Sequence, residues 1–214
     1  MTITLYDFAA APSPRRTRIL LAEKGIEHDV VQIDLGSREQ LGDAYRAINP
    51  RCTVPALRVE DGASSVTLTE NTAIALYVET LVPEPPLFGA GPTDRAMVVE
   101  WNARVETEGL MAVAEVLRNS SPRMKDRAMT GPIDLEQIPA LAERGRKRLQ
   151  HFFATLNSRL DGRDYLAIDT FSFADITAYV TVDFARWVKE VPSEEHTHLL
   201  RWFDAVADRE SAEA

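Results

Sequence analysis

Residues 49–62 read NPRCTVPALRVEDG, and they place a proline, Pro55, directly before an apolar run with the composition of a β-strand. Proline has no N–H group to donate to a strand ladder, so within sheets it is confined to strand beginnings, edges and bulges. The strand is therefore predicted to begin at Ala56 and to cover ALRVED. The residues before Pro55 are predicted to form a loop that leads into this strand.

Upstream of this stretch, ITLYDF and HDVVQIDL have the apolar patterns of strands, and PRRTRILLAEKG between them has the pattern of a helix. Ser13 is predicted to cap the helix, Pro14 to take its first position and Gly25 to end it. A strand, a helix and a second strand with so short a crossover predict a parallel β-α-β unit.

Downstream, a short helix is predicted around residues 39–48, before the ALRVED strand. The five residues 61–65 then predict a hairpin turn between ALRVED and VTL, because they contain glycine and serine. A helix over NTAIALYVETLV closes this half. The order β-α-β-α-β-β-α predicts a thioredoxin-like α/β domain, with a mixed four-stranded sheet and helices on its faces.

The second half is predicted to be all-helical. A linker rich in proline and glycine, at residues 83–93, separates residues 1–82 from residues 94–214. Beyond it, apolar residues recur at helical spacing, as in Met97, Trp101 and Val105. In FSFADITAYV, Ser172 and Asp175 form a pair of the capping-box type, predicted to open a buried helix.

Composition restricts the classes of partner. Among 214 residues, 33 acidic and 24 basic side chains give a formal net charge of −9, which disfavours nucleic acid or an anionic membrane as a partner. One local basic cluster is predicted to be a solvated helix face, and it consists of Arg144, Arg146, Lys147 and Arg148. The single cysteine excludes an intramolecular disulfide and a cysteine-rich metal site. Without a signal-peptide pattern or a long apolar run, a cytoplasmic location is expected.

Four motifs together resemble one family. LAEKGI, NPRCTVPAL, LTENTAIALYV and FSFADI follow in the order and at the spacing of the cytosolic glutathione S-transferases, and the resemblance covers essentially the whole chain. It implies a thioredoxin-like glutathione-binding domain joined to an all-helical bundle domain. It also implies glutathione as co-substrate without a metal, a small electrophilic second substrate, a homodimer and a role in detoxification. The class within the family stays open among bacterial, theta-, nu- and beta-like members.

The resemblance directs attention to the start of the first helix, because a thiol with a pKa near 8.5 needs stabilisation as a thiolate. Ser13 is the candidate catalytic residue, as donor to the glutathione sulfur, although a serine there is also an ordinary helix cap. Theta- and zeta-like members carry their catalytic serine at the position of Ala11. Beta-like members have cysteine, and some bacterial members asparagine, at the position of Ser13. Tyr6 lies too early, within the first strand, to act as a tyrosine-type donor.

The family also implies which residues bind the tripeptide. Glu70 would pair with the γ-glutamyl ammonium, and Asn71 would offer its backbone N–H and side-chain amide to the carboxylate. Most members have serine where this chain has Asn71. The two residues also suit a plain helix start.

The loop before the third strand supplies the other expected contacts, from Thr53, Val54 and Pro55. The resemblance implies a cis bond before Pro55, which leaves the Val54 backbone to pair with the cysteinyl part of glutathione like an added strand. Cys52 is interpreted as a spectator near this site, which could form a mixed disulfide with glutathione under oxidation.

Trp101 and Arg104 are expected at the wall of the electrophile pocket, with a core position as the alternative for Trp101 and a surface position for Arg104. The predicted function is conjugation of the glutathione thiolate to electrophilic small molecules. Glutathione-dependent disulfide-bond reduction is a second prediction, and a transferase-like protein that binds without turnover is a third. No Cys-x-x-Cys motif stands at the first helix, so the reactive thiol must arrive with the ligand.

Overall fold

The computed structural model describes every residue from Met1 to Ala214, and the chain forms two compact units. The first unit takes in Met1–Pro85 together with Thr130–Ile133 and Ala214. The second takes in Pro86–Met129 and Asp134–Glu213. None of the helices combines the length and apolar character that crossing a bilayer would require.

The first unit contains four strands and three α-helices. In chain order they are β1 (Thr2–Asp7), α1 (Pro12–Glu23), β2 (Asp29–Gln32), α2 (Asp43–Arg46), β3 (Ala56–Asp61), β4 (Ser64–Leu68) and α3 (Asn71–Leu81), with a 3-10 turn at Glu39–Leu41. The strands lie in the order β2-β1-β3-β4. Strand β2 runs parallel to β1, and the other pairs are antiparallel. The predicted thioredoxin-like order is confirmed.

The alternation of apolar residues along β1 and β3 sets their register. Leu5 lies opposite Leu57 and Ile3 lies opposite Val59, and all four side chains are buried. A slip by one residue would turn these side chains to the opposite face of the sheet, so burial selects this pairing. The third strand begins at Ala56, as predicted from Pro55.

The start of α1 differs from the prediction. The helix begins at Pro12, and Ala11 is its extended N-cap, with φ −82° and ψ 139°. A residue before proline is biased away from helical geometry, which favours the boundary between Ala11 and Pro12. Pro14 is tolerated at the third helical position, because the first N–H groups of a helix have no intrahelical partner. Ser13 is therefore a residue of the first helical turn, and its prediction as the cap is wrong.

Two other boundaries also shifted. The β3–β4 turn is shorter than predicted, since Ser64 and Ser65 belong to β4 and pair with Asp61 and Glu60. Gly62, with φ +59°, takes the left-handed conformation that lets the chain reverse there. The predicted helix over residues 39–48 is two short turns, Glu39–Leu41 and Asp43–Arg46, interrupted at Gly42.

The end of α1 is tied to the chain that follows α3. Gly25 has φ +60°, and the N–H groups of Gly25 and Ile26 bond the carbonyls of Ala22 and Leu21, which is the Schellman arrangement. Lys24, the C-cap, is buried and forms a 2.6 Å ion pair with Glu79. Its ammonium also donates to carbonyls at residues 82 and 85, at 2.8 and 2.5 Å. These bonds give a buried charge the partners that it requires.

The second unit is all-helical, as predicted. Its helices are α4 (Pro92–Arg104), α5 (Met111–Ser120), α6 (Pro139–Arg159), α7 (Phe173–Ala185) and α8 (Thr197–Ala207), with a π-helical segment at Val105–Leu110 and 3-10 turns at Pro122–Met124, Arg186–Val188 and Glu210–Glu213. Nearly every side chain of α7 is buried. A helix that is apolar on all sides belongs at the centre of a bundle, where its neighbours cover every face.

The capping box that opens α7 is confirmed and extends further than the sequence shows. The Asp175 carboxylate accepts hydrogen bonds from the Ser172 N–H and hydroxyl at 3.0 and 2.7 Å, and from the Leu166 N–H and the Trp202 indole at 2.8 and 3.0 Å. Burial raises the pKa of the Asp175 carboxyl, while the four hydrogen bonds act to lower it. One carboxylate thus links α7, α8 and the loop before α7.

Replacement of Asp175 by alanine should leave several buried donors without an acceptor, at a cost of roughly 3 kcal/mol in the free energy of unfolding. Urea denaturation followed by circular dichroism measures this loss. The matched control is Asp169→Ala, because the Asp169 side chain is 99% exposed. A loss no larger than that of the control would contradict a structural role for the buried carboxylate.

Candidate functional site

The loop before β3 is held in place by hydrogen bonds to one carbonyl. The Thr53 C=O accepts from the Tyr45 hydroxyl at 2.6 Å and from the Asn49 side-chain amide at 2.7 Å. Asn49, fully buried, also accepts from the Arg51 N–H at 3.0 Å through its side-chain oxygen. Cys52, buried within the same turn, has φ +55°. These bonds hold the loop from Tyr45 to Thr53 in a closed conformation.

Beyond Thr53 the situation changes. The Val54–Pro55 peptide bond is cis, and Pro55 is buried. Neither the N–H nor the C=O of Val54 has a hydrogen-bond partner in the chain, because the ladder with β1 begins at Ala56. Val54 is only half-buried. Its backbone is free to pair with an extended ligand.

Tyr45 lies underneath this loop with its ring buried. Its ring packs edge-to-face on Tyr6, with 6.0 Å between the ring centroids. Burial raises the pKa of Tyr45 to about 12, although a hydrogen bond with Asn49 acts in the opposite direction. The phenol therefore stays protonated near neutral pH and serves as a donor to Thr53.

Glu70 is the extended N-cap of α3, and its carboxylate projects toward the loop. It forms an ion pair of 3.1 Å with Arg51, and the two side chains are 63% and 68% exposed. Both groups remain accessible to solvent, so a charged ligand can compete for either partner. This contact brings the start of α3 beside the loop that carries Val54.

Asn71, the first residue of α3, is 5% exposed. In the orientation that satisfies all its neighbours, its Nδ2 donates to the Ser13 carbonyl at 3.0 Å and to the Thr17 hydroxyl at 2.9 Å. Its Oδ1 accepts from the Arg16 guanidinium at 2.9 Å. The side-chain amide is thus occupied within the chain, whereas the backbone N–H has no partner there. The predicted contact of Asn71 with glutathione stays a prediction.

Ser13 is half-buried in the first turn of α1. The loop before it is fixed by Asp7, a buried carboxylate that accepts from Arg18 and from Gln32, both at 2.7 Å. The Arg18 guanidinium also donates to the Ala9 carbonyl at 3.0 Å. These bonds and the tie to Asn71 hold the N-terminus of α1 in one position.

The structure therefore connects two pairs of neighbouring segments: the Ser13 carbonyl accepts from Asn71, and Glu70 pairs with Arg51, two residues before Thr53. Sequence reasoning missed Arg51, which differs from the predicted set in being an exposed cation. It also missed Tyr45, which donates to the Thr53 carbonyl, and Arg16, which donates to Asn71. The neighbouring residues in the sequence do not indicate either contact.

Trp101 and Arg104 belong to the second unit. Trp101 is 6% exposed, as the core alternative predicted. The Arg104 guanidinium lies 4.4 Å from the Trp101 ring centroid and pairs with Glu108 at 3.3 Å. The Arg159 guanidinium lies 4.9 Å from the same ring. The indole thus interacts with two cations, an arrangement that stabilises both.

Comparisons with known proteins establish the family. Residues 11–81 match the glutathione S-transferase N-terminal domain, and residues 113–210 match the C-terminal domain. The chain is 33% identical over 210 residues to Glutathione S-transferase 2 of Saccharomyces cerevisiae, covering 97% of this chain and 86% of the yeast protein. The crystal structure of Gtt2 from Saccharomyces cerevisiae has a TM-score of 0.87 at 32% identity, with 98% of each chain covered. The chain belongs to the glutathione S-transferase family.

Another relative is named for a different activity. The chain is 24% identical over 212 residues to the disulfide-bond oxidoreductase YfcG of Escherichia coli, and the alignment covers 97% of this chain and 91% of that protein. The family therefore includes a relative whose named activity is redox chemistry.

Truncation of Asn71 to alanine should remove a buried amide and leave the Ser13 carbonyl without its partner. We expect a loss of about 2 kcal/mol in the free energy of unfolding, measured by urea denaturation. Thr80→Ala is the control on the same helix, since Thr80 is exposed and bonds only the Leu76 carbonyl, at 2.9 Å. Equal effects of the two substitutions would contradict the tie between α1 and α3.

Tyr45 should make the stability of the protein depend on alkaline pH. An unfolded tyrosine ionises near pH 10, whereas the folded phenol ionises at about 12. The folded state therefore binds more protons between these values, and stability is lost as the pH rises through this interval. Denaturation at a series of pH values measures the effect. The slope should be reduced in Tyr45→Phe, and an unchanged slope would show that Tyr45 is not responsible.

Proposed function

We propose that this protein is a glutathione transferase that joins the glutathione thiolate to an electrophilic small molecule. The unpaired backbone of Val54, in the loop that enters β3, is the observation that carries the proposal. An extended tripeptide can pair with such a free backbone segment through main-chain hydrogen bonds. The family membership supports glutathione as that tripeptide, and the resemblance implies a homodimer as the assembly.

Polar and charged groups in the same loop and at the start of α3 match the γ-glutamyl end of the tripeptide. The Glu70 carboxylate would accept from the γ-glutamyl ammonium, and the Asn71 N–H at the start of α3 would donate to the γ-glutamyl carboxylate. Arg51 already lies against Glu70 and would meet a carboxylate of the ligand. The exchange of partners keeps each charge paired, so binding leaves none of these groups without a counter-ion.

Ser13 would donate its hydroxyl hydrogen bond to the glutathione sulfur. The Ser13 N–H would add to the stabilisation of the anion; it is the one first-turn amide available, because Pro12 and Pro14 have no N–H and the Arg15 N–H bonds the Ala11 carbonyl. The thiol proton leaves to solvent, the sulfur forms a bond to carbon of the electrophile, and the displaced group departs with the bonding electron pair. Catalysis then depends on holding a thiolate beside the electrophile.

Disulfide-bond reduction is the second candidate function, and the relative named as a disulfide-bond oxidoreductase favours it. Two glutathione thiols would supply two electrons to the disulfide, releasing two thiols of the substrate and one glutathione disulfide. This reaction needs the same thiolate and the same free backbone segment. The two functions differ in the second substrate.

Retention on immobilised glutathione tests the shared binding step. Glu70→Gln should weaken binding about tenfold or more, because a charge-assisted hydrogen bond is lost. Glu27→Gln removes the same charge at an exposed position outside the site and serves as the control. No retention of the parent protein would reject both enzyme functions and leave a binding protein for another partner.

Ser13→Ala should reduce kcat/KM for 1-chloro-2,4-dinitrobenzene by about tenfold or more and raise the pKa of bound glutathione, followed by the ultraviolet absorbance of the thiolate. The exposed Ser37→Ala is the control. Unchanged kinetics and an unchanged pKa of the thiol would remove Ser13 from the catalytic role. Activity on hydroxyethyl disulfide, without conjugation, would favour the reductase.

A further inference from the structure

A groove on the second unit contains Arg104, expected from the sequence at the electrophile pocket, together with five residues that the proposed reaction does not use. Its cavity volume is about 380 Å³, and its lining consists of Arg104, Glu108, Arg144, Lys147, Arg148 and His151. Every side chain in this lining is charged or an imidazole. The volume lies within the range of small-molecule sites, which begins at roughly 300 Å³.

The groove lies where the π-helical segment Val105–Leu110 packs near α6. Two glycines allow the close approach of the helices. A Cβ at Gly109 would lie 2.5 Å from the Phe152 ring, and one at Gly145 would lie 2.8 Å from the Ala112 carbonyl. Single π-helical turns inside α-helices occur frequently at functional sites.

Arg148 joins the π-helical segment to the groove. Its guanidinium donates to the Thr107 carbonyl and forms an ion pair with Glu115 at 3.0 Å. Arg144 donates to the same Glu115 carboxylate at 2.7 Å. Burial acts to raise the pKa of Glu115, but the hydrogen bonds from these two arginines lower it overall. Two guanidinium groups are thus fixed in position by one carboxylate and one carbonyl.

The positive charge of the groove exceeds the charge of its carboxylates. Arg104 pairs with Glu108, while Arg144 and Arg148 share Glu115. Lys147 and the His151 side chain have no hydrogen-bond or ion-pair partner in the chain. The prediction of a solvated basic face thus fits Lys147. The neighbouring arginines form ion pairs with carboxylates, Arg144 and Arg148 with Glu115 and Arg146 with Glu190. An excess of cations persists here in a protein with a formal net charge of −9.

We propose that this groove binds a compact polyanion of phosphate type, such as pyrophosphate or a small phosphate ester. The guanidinium groups of Arg144 and Arg148 keep further N–H donors, and their planar geometry matches phosphate oxygens. Lys147 supplies an unpaired charge at the same groove. Glu108 and Glu115 neutralise two of the four positive charges of Arg104, Arg144, Lys147 and Arg148, and a dianion would balance the other two.

The lining also argues against other ligands. Its one aromatic ring is the His151 imidazole, and it has no tyrosine, tryptophan or phenylalanine on which successive bases of a single-stranded nucleic acid could stack. Charge and size together favour a small, highly charged anion.

Isothermal titration of the full chain with pyrophosphate at low ionic strength tests this proposal. We expect one site per chain, with affinity that falls as salt is added. Lys147→Gln should weaken binding about tenfold, and Lys147→Glu more strongly, because a charged donor is lost or reversed. Both substitutions are at an exposed position and leave the Arg148 contact with Thr107 in place.

Lys125→Gln is the matched control, since Lys125 is exposed and outside the lining. Retention on glutathione should be unchanged in Lys147→Gln, which separates this groove from the proposed glutathione site. Absence of binding, or an equal loss in the two variants, would overturn the proposal. So would a molar mass in solution that falls in Lys147→Gln, because the groove would then be covered by a second copy of the chain.

Discussion

The Thr53 carbonyl accepts two hydrogen bonds, from Tyr45 and Asn49, and this doubly bonded group sets the direction in which the chain enters Pro55. Because both donors are buried, the loop cannot relax toward the sheet without leaving polar groups unpaired. The chain therefore reaches Pro55 in a fixed direction, and the ladder begins only at Ala56. As a consequence, the N–H and C=O of Val54 have no partner in the chain. The buried hydrogen bonds that hold the loop thus leave a stretch of backbone that can still form hydrogen bonds.

A second constraint joins the starts of α1 and α3. Asn71 contacts Ser13, Thr17 and Arg16, and it lies next to Glu70, which contacts the loop. The Asn71 side chain thus reaches across from α3 to α1 and holds the start of α1 beside the start of α3.

In the second unit a buried polar side chain also links separate segments, and there it stabilises the core of the helical bundle. Asp175 gathers donors from three parts of the chain, so that α7 can lie at the centre of the bundle with nearly every side chain buried. In the π-helical segment the acceptor lies near the surface instead: the Thr107 carbonyl accepts a hydrogen bond from Arg148 of α6. That contact holds a cation at the surface. The hydrogen bonds to the Asp175 carboxylate thus stabilise the core, and the hydrogen bond to the Thr107 carbonyl positions a positive charge at the groove.

The sequence by itself determined the order of strands and helices, the start of β3 after Pro55, the end of α1 at Gly25 and the capping box of Ser172 and Asp175. Each of these depends on local rules, namely the missing N–H of proline, the left-handed freedom of glycine and hydrogen bonds over three residues. Local rules left the start of α1 ambiguous, because Pro12 and Pro14 both suit a first turn.

Only the tertiary structure decided the partners of the long polar side chains. The hydrogen bond between Thr17 and Asn71 spans 54 residues of sequence, and the one between Arg148 and Thr107 spans 41. The motif positions of Glu70 and Val54 were predictable, whereas the roles of Arg51, Tyr45 and Arg16 were not. Their side chains could have found water or other partners equally well in the unfolded chain. The fold selects one partner because burial makes every unpaired polar group costly, and burial is a property of the packed chain.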